Sequence, residues 1–168
     1  QVQNFTVVLL AEIINENYKS DKYTLLRPKG VLGVTPFTLN AVRKTEEIID
    51  KERLSILDIG CGIGFTSLVP AKSTKVTSLD ISKLSVIASF INATINSVVD
   101  NMQFLHKNFN EYISNKKYDI LIITSPLEFD RSISNNEIFT DLEKGDLTPN
   151  KTGHVINYNN PSKGITLF

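Results

Sequence analysis

The sequence predicts an α/β protein with a doubly wound, mostly parallel sheet and helices on both of its faces. Three observations support this prediction. Short apolar runs alternate with segments of helical spacing through the middle of the chain, which is typical of strand–helix–strand units with right-handed crossovers. One run, 118–123, is apolar almost throughout, as expected for a strand covered on both faces. A glycine-rich stretch, 60–64, directly follows another run, where open sheets bind ligands.

The composition fits one soluble globular domain. The chain has 168 residues, of which 41% are apolar and 21% charged, and a chain of this length buries a core without disulfides. With 18 basic and 18 acidic residues the formal net charge is zero, which argues against a large phosphate-binding footprint and leaves a local basic patch open. Cys61 is the single cysteine, so an intramolecular disulfide and a multi-cysteine zinc site are excluded, and a reducing, cytoplasmic compartment is expected. No apolar run reaches the roughly 18 residues of a membrane-spanning helix.

The first third of the chain predicts two helices and a turn-rich connection. An amphipathic helix is predicted over 5–18, because helical spacing relates Val7, Leu10, Ala11, Ile14 and Tyr18. A short strand is predicted over 23–26, and a second helix over 38–51. Between them, prolines and glycines mark turns at Pro28, Gly30, Gly33 and Pro36.

The remaining elements alternate between strand and helix. Strands are predicted over 54–59, 75–80, 102–106 and 118–123, and helices over 65–70, 83–99 and 110–115. The predicted buried side of the helix over 83–99 consists of Leu84, Ile87, Ala88, Ile91 and Ile95. Beyond residue 125 the pattern weakens, and it predicts a helix over 132–143, a fifth strand over 153–158 and the start of another over 164–168.

The strongest chemical signal is the turn Gly60-Cys-Gly-Ile-Gly64, since glycines let the backbone approach a ligand closely. Dinucleotide sites prefer the spacing G-x-G-x-x-G. Here the third glycine comes one position early, and Asp58 precedes the first glycine by two positions. Asp80 ends the next strand, where a carboxylate accepts hydrogen bonds from both ribose hydroxyls. Asp80 therefore indicates a nucleoside of either ligand class, the alternative being a solvated acid before a helix.

Several motifs, taken in order, resemble the methyltransferase small-domain group of class I S-adenosylmethionine methyltransferases, which includes release-factor glutamine and ribosomal RNA guanine-N2 methyltransferases. The matching pieces are Gly30-Val-Leu-Gly33, Thr35-Pro-Phe-Thr38, Leu57-Asp-Ile-Gly-Cys-Gly-Ile-Gly64, Leu79-Asp-Ile-Ser82, Asn92-Ala93 with Asn96, and the run 118–126. The resemblance implies a Rossmann-like sheet of the class I type, which usually continues beyond a fifth strand, so we expect a sheet truncated there. It also implies an N-terminal helical segment with a cofactor-covering turn, 1–53, and an S-adenosylmethionine-binding core, 54–168, within one compact domain.

The resemblance further implies which residues bind the cofactor. Asn108 would face the adenine amino group and Phe109 would pack on the ring, the alternative being a loop asparagine and a core phenylalanine. Cys61 would meet the ligand through its backbone and not act as a nucleophile. His106 is expected to be a buried structural residue, and no spacing suggests a metal site. The full set implied for the cofactor is Asp58, Gly60, Cys61, Gly62, Asp80, Ile81, Asn108, Phe109 and Ser125.

The acceptor side departs from the group, whose amino-methylating members carry Asn-Pro-Pro-aromatic after the fourth strand. This chain reads Ser125-Pro126-Leu127-Glu128-Phe129. Ser125 is a weaker acceptor for a target amino group, and Phe129 could still offer a stacking face. Glu128 could serve as a general base for an acceptor with a removable proton, the alternative being an exposed loop acid. The predicted catalytic residues are therefore Ser125, Pro126, Glu128 and Phe129.

These observations predict methyl transfer from S-adenosylmethionine to a nitrogen or oxygen acceptor on a small molecule or a protein. Two alternatives stay open, a catalytically inactive methyltransferase-like scaffold and a ribosomal or transfer RNA base methyltransferase. A nicotinamide-dependent oxidoreductase is disfavoured by the glycine spacing, and a class I domain that uses the cofactor for other chemistry remains a further possibility. The zero net charge disfavours nucleic acid as a partner. No membrane partner is expected, and nothing indicates the oligomeric state.

Overall fold

The architecture is an open α/β sheet with a separate N-terminal hairpin. The computed structural model describes residues 10–49, 54–112, 118–124, 154–157 and 166–167. The six-stranded sheet has the order β5-β4-β3-β6-β7-β8, in which only the β7–β8 pair is antiparallel. Its strands are β3 (Ser55–Ile59), β4 (Lys75–Asp80), β5 (Met102–His106), β6 (Ile120–Ile123), β7 (His154–Asn157) and β8 (Thr166–Leu167). The predicted doubly wound fold is confirmed, and an antiparallel strand follows the fifth parallel one.

Apolar clusters cover both faces of this sheet, as the parallel arrangement requires. Along β3, Ile56 points into a cluster on one face, whereas Leu57 and Ile59 point into a second cluster on the other face. All four residues of β6 are buried. The apolar run that predicted a doubly covered strand is therefore a central strand of the sheet.

The N-terminal helix predicted over 5–18 is wrong where the structure describes it. Residues Ala11–Tyr18 form β1, which pairs antiparallel with β2, Asp21–Pro28. The hairpin turns at Lys19, which has a positive φ of 54°. Apolar residues four positions apart, such as Ile14 and Tyr18, share one side of a helix but also one face of a strand. Ile14 and Tyr18 do pack on the core, but from a strand.

Helix α1 spans Pro36–Ile49, which confirms the predicted helix with its start two residues earlier. A reciprocal cap fixes this start. The Thr38 N–H donates to Thr35 Oγ1 at 3.2 Å, and the Thr35 N–H donates to Thr38 Oγ1 at 3.3 Å. Pro36 fits the first helical position because that residue needs no N–H partner.

Helix α3, Lys83–Ile95, follows its predicted packing in part: Ala88 is buried as predicted, and Leu84 and Ile91 are partly buried. Ile87 and Ile95, predicted to be buried, are 41% and 45% exposed. The residues that α3 buries are small or polar, because the helix lies close against the turn that follows β3 and against β2. They are Ser85, Ala88, Ser89, Asn92 and Ala93.

The connecting elements are short. Helix α2 comprises Phe65–Leu68 and is followed by a 3₁₀ turn, Pro70–Lys72, and another 3₁₀ turn, Phe109–Glu111, follows β5. The helix predicted over 132–143 lies outside the described residues. Among the residues that the structure describes, no helix is long and apolar enough to cross a membrane.

Candidate cofactor site

The glycine-rich turn lies at the carboxyl edge of the sheet, between the ends of β4 and β6. The N–H groups of Gly60 and Cys61 donate to the Leu79 carbonyl at 2.8 and 3.2 Å. On the other side, Thr124 donates through its hydroxyl to the Gly60 carbonyl at 2.8 Å. The turn is therefore anchored to both neighbouring strands, at the position where open α/β sheets bind ligands.

Each of the three glycines has a positive φ that L side chains rarely adopt, 79° at Gly60, 55° at Gly62 and 87° at Gly64. Gly62 and Gly64 serve different purposes. A Cβ at Gly62 would meet nothing within 4 Å, so the backbone there faces open space. A Cβ at Gly64 would overlap the Ser89 hydroxyl and lie 2.9 Å from Ser89 Cβ. Gly62 leaves room for a ligand, whereas Gly64 leaves room for α3.

Asp80 ties the turn to the start of α3. Its Oδ2 accepts the Gly62 N–H at 2.9 Å, and its Oδ1 accepts the Ser82 N–H at 2.8 Å. The residue is 8% exposed, at the end of the strand next to the turn. Each carboxylate oxygen has a second lone pair, so these bonds leave acceptor capacity for the predicted ribose hydroxyls, a role that stays a prediction.

Asp58 lies inside the turn and not on its open side. Its carboxylate is fully buried, and its Oδ2 accepts hydrogen bonds from the Thr66 and Ser67 hydroxyls, both at 2.6 Å. Oδ1 has no hydrogen-bond partner among the residues that the structure describes. Burial raises the pKa of Asp58 to about 6; the two hydroxyls oppose this rise and the Asp80 carboxylate adds to it. Asp58 therefore joins β3 to the first turn of α2.

Replacing Asp58 by asparagine is expected to remove a pH dependence of stability. Because the folded-state pKa of about 6 lies above the ordinary value of 3.8, the folded protein binds this proton more tightly than the unfolded chain. The wild-type free energy of unfolding therefore loses a contribution of about 2 kcal/mol as the pH rises from 4 to 7. Asp58→Asn lacks this contribution, so the variant gains stability relative to wild type over that interval.

Urea unfolding of both proteins at pH 4, 5, 6 and 7 measures this difference. An unchanged dependence of the unfolding free energy on urea concentration serves as the control that both proteins unfold from equally compact states. A difference between the two proteins that stays constant from pH 4 to 7 would contradict the buried position of the carboxylate.

Cys61 is buried, and burial raises the pKa of its thiol well above the ordinary value. A thiol in this environment stays protonated at neutral pH, which agrees with the prediction that Cys61 is no nucleophile. Its N–H already bonds to the Leu79 carbonyl, so this group serves to hold the turn in place.

The residues expected around adenine lie at the ends of two adjacent strands. Ile81 follows Asp80 directly and is 64% exposed. Asn108 is half-buried just after β5, and Phe109 packs against the apolar cluster that contains Leu57 and Ile59. The Lys107 N–H donates to the Asp80 carbonyl at 3.1 Å, which joins the two strand ends. The structure brings these residues together, and their contacts with a ligand stay predictions.

The expectation that His106 is buried is wrong. The residue is exposed because β5 is the edge strand of the sheet, and its Nε2 lies 3.0 Å from the Ile81 carbonyl oxygen. The predicted catalytic residues Ser125, Pro126, Glu128 and Phe129 lie outside the described residues.

The sequence analysis assigns no role to two residues that support the turn. Thr124 directly follows β6 and donates through its hydroxyl to the Gly60 carbonyl. The pattern that could have indicated it is a polar residue at the end of an apolar run. Asn92 reaches the Ile63 carbonyl of the turn at 2.9 Å from α3. Its signal was an asparagine in the middle of a helix, a position that asparagine disfavours unless its side chain has a specific partner.

A parallel sheet with a glycine turn at its carboxyl edge and a carboxylate at the end of the next strand defines a nucleoside-binding α/β domain. The sequence pattern of the methyltransferase small domain family matches residues 39–146, which is well over half of the chain. This chain belongs to the methyltransferase small domain family. The predicted class, the S-adenosylmethionine-dependent methyltransferases, is thereby confirmed.

The chain is also similar to individual proteins, to one in sequence and to others in fold. A bifunctional methyltransferase of Rickettsia bellii (strain RML369-C) is 31% identical over 75 residues, which cover 43% of this chain and 14% of the relative. The structure of the T. thermophilus 16S rRNA N2 G1207 methyltransferase, in complex with AdoMet and guanosine, has a TM-score of 0.73 and 21% identity, covering 87% of this chain and 41% of that one. The M. jannaschii tRNA m1G37 methyltransferase has a TM-score of 0.65 and 15% identity, covering 88% and 42%. The chain thus spans less than half the length of these relatives.

Proposed function

We propose that this chain binds S-adenosylmethionine at the glycine turn and transfers its methyl group to a nitrogen or oxygen acceptor. The observation that carries the proposal is Gly62, whose open side faces unfilled space while its N–H is fixed by Asp80. A turn held in this way admits a nucleoside ligand without a rearrangement of the backbone. The bound cofactor supplies a methyl group that is already activated by the positive charge on sulfur.

The roles proposed for individual residues follow from their positions. Asp80 accepts hydrogen bonds from the ribose hydroxyls, and Ile81, Asn108 and Phe109 surround the adenine. Gly60, Cys61 and Gly62 form the wall next to the methionine part. Asp58 shapes this wall from inside, because its buried carboxylate has no accessible oxygen to offer.

The acceptor side is assigned to Ser125, Pro126, Glu128 and Phe129, which directly follow Thr124 at the carboxyl edge of the sheet. Their proposed task is to hold the acceptor atom about 3 to 3.5 Å from the methyl group and in line with the bond that breaks. We also propose that residues 1–53 cover the cofactor site and that 54–168 form the cofactor-binding core. Contacts between β2 and α3 support such a cover.

Two acceptor classes are proposed. A small molecule or protein is supported by the zero net charge. An RNA base is supported by the names of two structural neighbours, which are ribosomal and transfer RNA methyltransferases.

A methyl-transfer assay distinguishes these classes. The chain is incubated with radiolabelled S-adenosylmethionine and, separately, with the RNA, protein and small-molecule fractions of a cell extract. We expect label in one fraction, and sensitivity of that label to nuclease or protease identifies the acceptor. Asp80→Ala is the control that must reduce the incorporation. Binding of the cofactor without incorporation into any fraction would contradict methyl transfer and favour an inactive scaffold.

A further inference from the structure

Asn92 in α3 and Asn96, which directly follows α3, bind β2 in the way that a neighbouring strand would. Asn96 accepts the Thr24 N–H at 3.2 Å and donates to the Thr24 carbonyl at 2.8 Å. Asn92 accepts the Leu26 N–H at 2.6 Å and donates to the Leu26 carbonyl at 3.0 Å. These bonds satisfy backbone groups that an edge strand would otherwise expose, and they fix the hairpin to α3.

Asn92 makes one contact that Asn96 lacks. Its second amide proton goes to the Ile63 carbonyl at 2.9 Å, inside the glycine turn. An asparagine amide has two protons to donate, and Asn92, which is fully buried, uses both. One side chain therefore connects the hairpin, the helix and the turn.

This contact fixes a particular peptide unit of the turn. The carbonyl of Ile63 and the N–H of Gly64 belong to one planar group. Asn92 holds the carbonyl end, and the Cys61 carbonyl accepts the N–H end at 2.8 Å. Loss of the contact to Asn92 would remove the restraint on the carbonyl side of this unit and leave the turn between Gly62 and Gly64 less fixed.

We infer that Asn92 is a positioning residue that fixes the glycine turn against the hairpin, so that affinity for the cofactor depends on how the hairpin docks. This inference rests on the proposed function of the turn. Because coupling between two sites is reciprocal, bound cofactor must in turn stabilise the docked hairpin. The hairpin then influences cofactor affinity through Asn92 and the turn.

Asn92→Ala and Asn96→Ala form a matched pair for the test. Each removes one donor and one acceptor contact with β2. Asn96→Ala also removes a bond to the Asn92 carbonyl, whereas only Asn92→Ala releases the Ile63 carbonyl. We expect the dissociation constant for S-adenosylhomocysteine to rise about tenfold in Asn92→Ala and less than about twofold in Asn96→Ala. In the ligand-free protein, hydrogen exchange of the Gly62 and Gly64 amides, followed by NMR, should accelerate in Asn92→Ala alone.

The exchange measurement separates this inference from the proposed function. A wild-type chain that fails to bind S-adenosylhomocysteine would refute the proposed function, while exchange at Gly62 and Gly64 would still decide the role of Asn92. If Asn92→Ala does not fold, the pair Asn92→Asp and Asn96→Asp keeps the acceptor oxygen and deletes the donors. Equal turn exchange and equal affinity in both members of a pair would overturn the inference, since a purely structural role lowers only the free energy of unfolding.

Discussion

Replacing Gly64 by alanine is expected to lower the free energy of unfolding by about 2 to 5 kcal/mol. A positive φ costs an L-residue about 1 to 2 kcal/mol, and Gly64 has a φ of 87°. Overpacking adds about 1 to 3 kcal/mol, because the new Cβ would overlap the Ser89 hydroxyl and lie 3.1 Å from Ser89 Cα. Urea unfolding of wild type and variant measures the difference.

Gly62→Ala is the matched control for the Gly64 variant. Gly62 also has a positive φ, 55°, but its missing Cβ would meet nothing within 4 Å. Its cost should therefore be limited to the conformational contribution of about 1 to 2 kcal/mol. Ser89→Ala, combined with Gly64→Ala, should recover part of the lost unfolding free energy. The double variant should therefore be more stable than the sum of the two single effects predicts. Equal losses of unfolding free energy in Gly62→Ala and Gly64→Ala would show that α3 leaves room for a side chain at Gly64.

Replacing Asp80 by alanine is expected to weaken binding of S-adenosylhomocysteine about 10- to 100-fold. The change removes the acceptors proposed for the ribose hydroxyls, and hydrogen bonds to a charged group contribute about 1.5 to 3 kcal/mol. It also releases the Gly62 N–H, which Asp80 holds at 2.9 Å, so the turn loses its fixed position. Isothermal titration calorimetry of the variant measures the affinity.

Asp100→Ala controls for the loss of a negative charge. Asp100 is exposed and lies just before β5, at the amino edge of the sheet and opposite the glycine turn, so its removal should change the affinity less than about twofold. An Asp80 variant with wild-type affinity would place the ribose elsewhere.

Two of the parallel strands could be predicted closely from the sequence because each apolar run ends in turn or polar residues. The strands predicted over 75–80 and 102–106 have the observed bounds Lys75–Asp80 and Met102–His106. The hairpin could not be predicted in the same way, since apolar residues four positions apart fit a helix and a strand equally well. No glycine marks a turn near Lys19, so the sequence pattern favours a helix there.

The packing of α3 and the orientation of Asp58 depend on contacts that are distant in sequence. Hydrophobicity predicts that Ile87 and Ile95 are buried, but close approach to Gly64 admits only small residues on the packed side. Asp58 was expected beside the ligand because of its place before the glycines, whereas the hydroxyls of Thr66 and Ser67 draw its side chain inward. Contacts that are distant in sequence, and not local patterns, determine these side-chain positions.

Titration of the wild-type chain with S-adenosylmethionine, S-adenosylhomocysteine and NAD tests the central claim most directly. The short glycine spacing and the open side of Gly62 predict that the first two ligands bind the same single site and compete with each other. NAD is expected not to bind, because the turn lacks the spacing that receives a pyrophosphate. Absence of binding by both S-adenosyl compounds, or binding of NAD with equal affinity, would contradict the account.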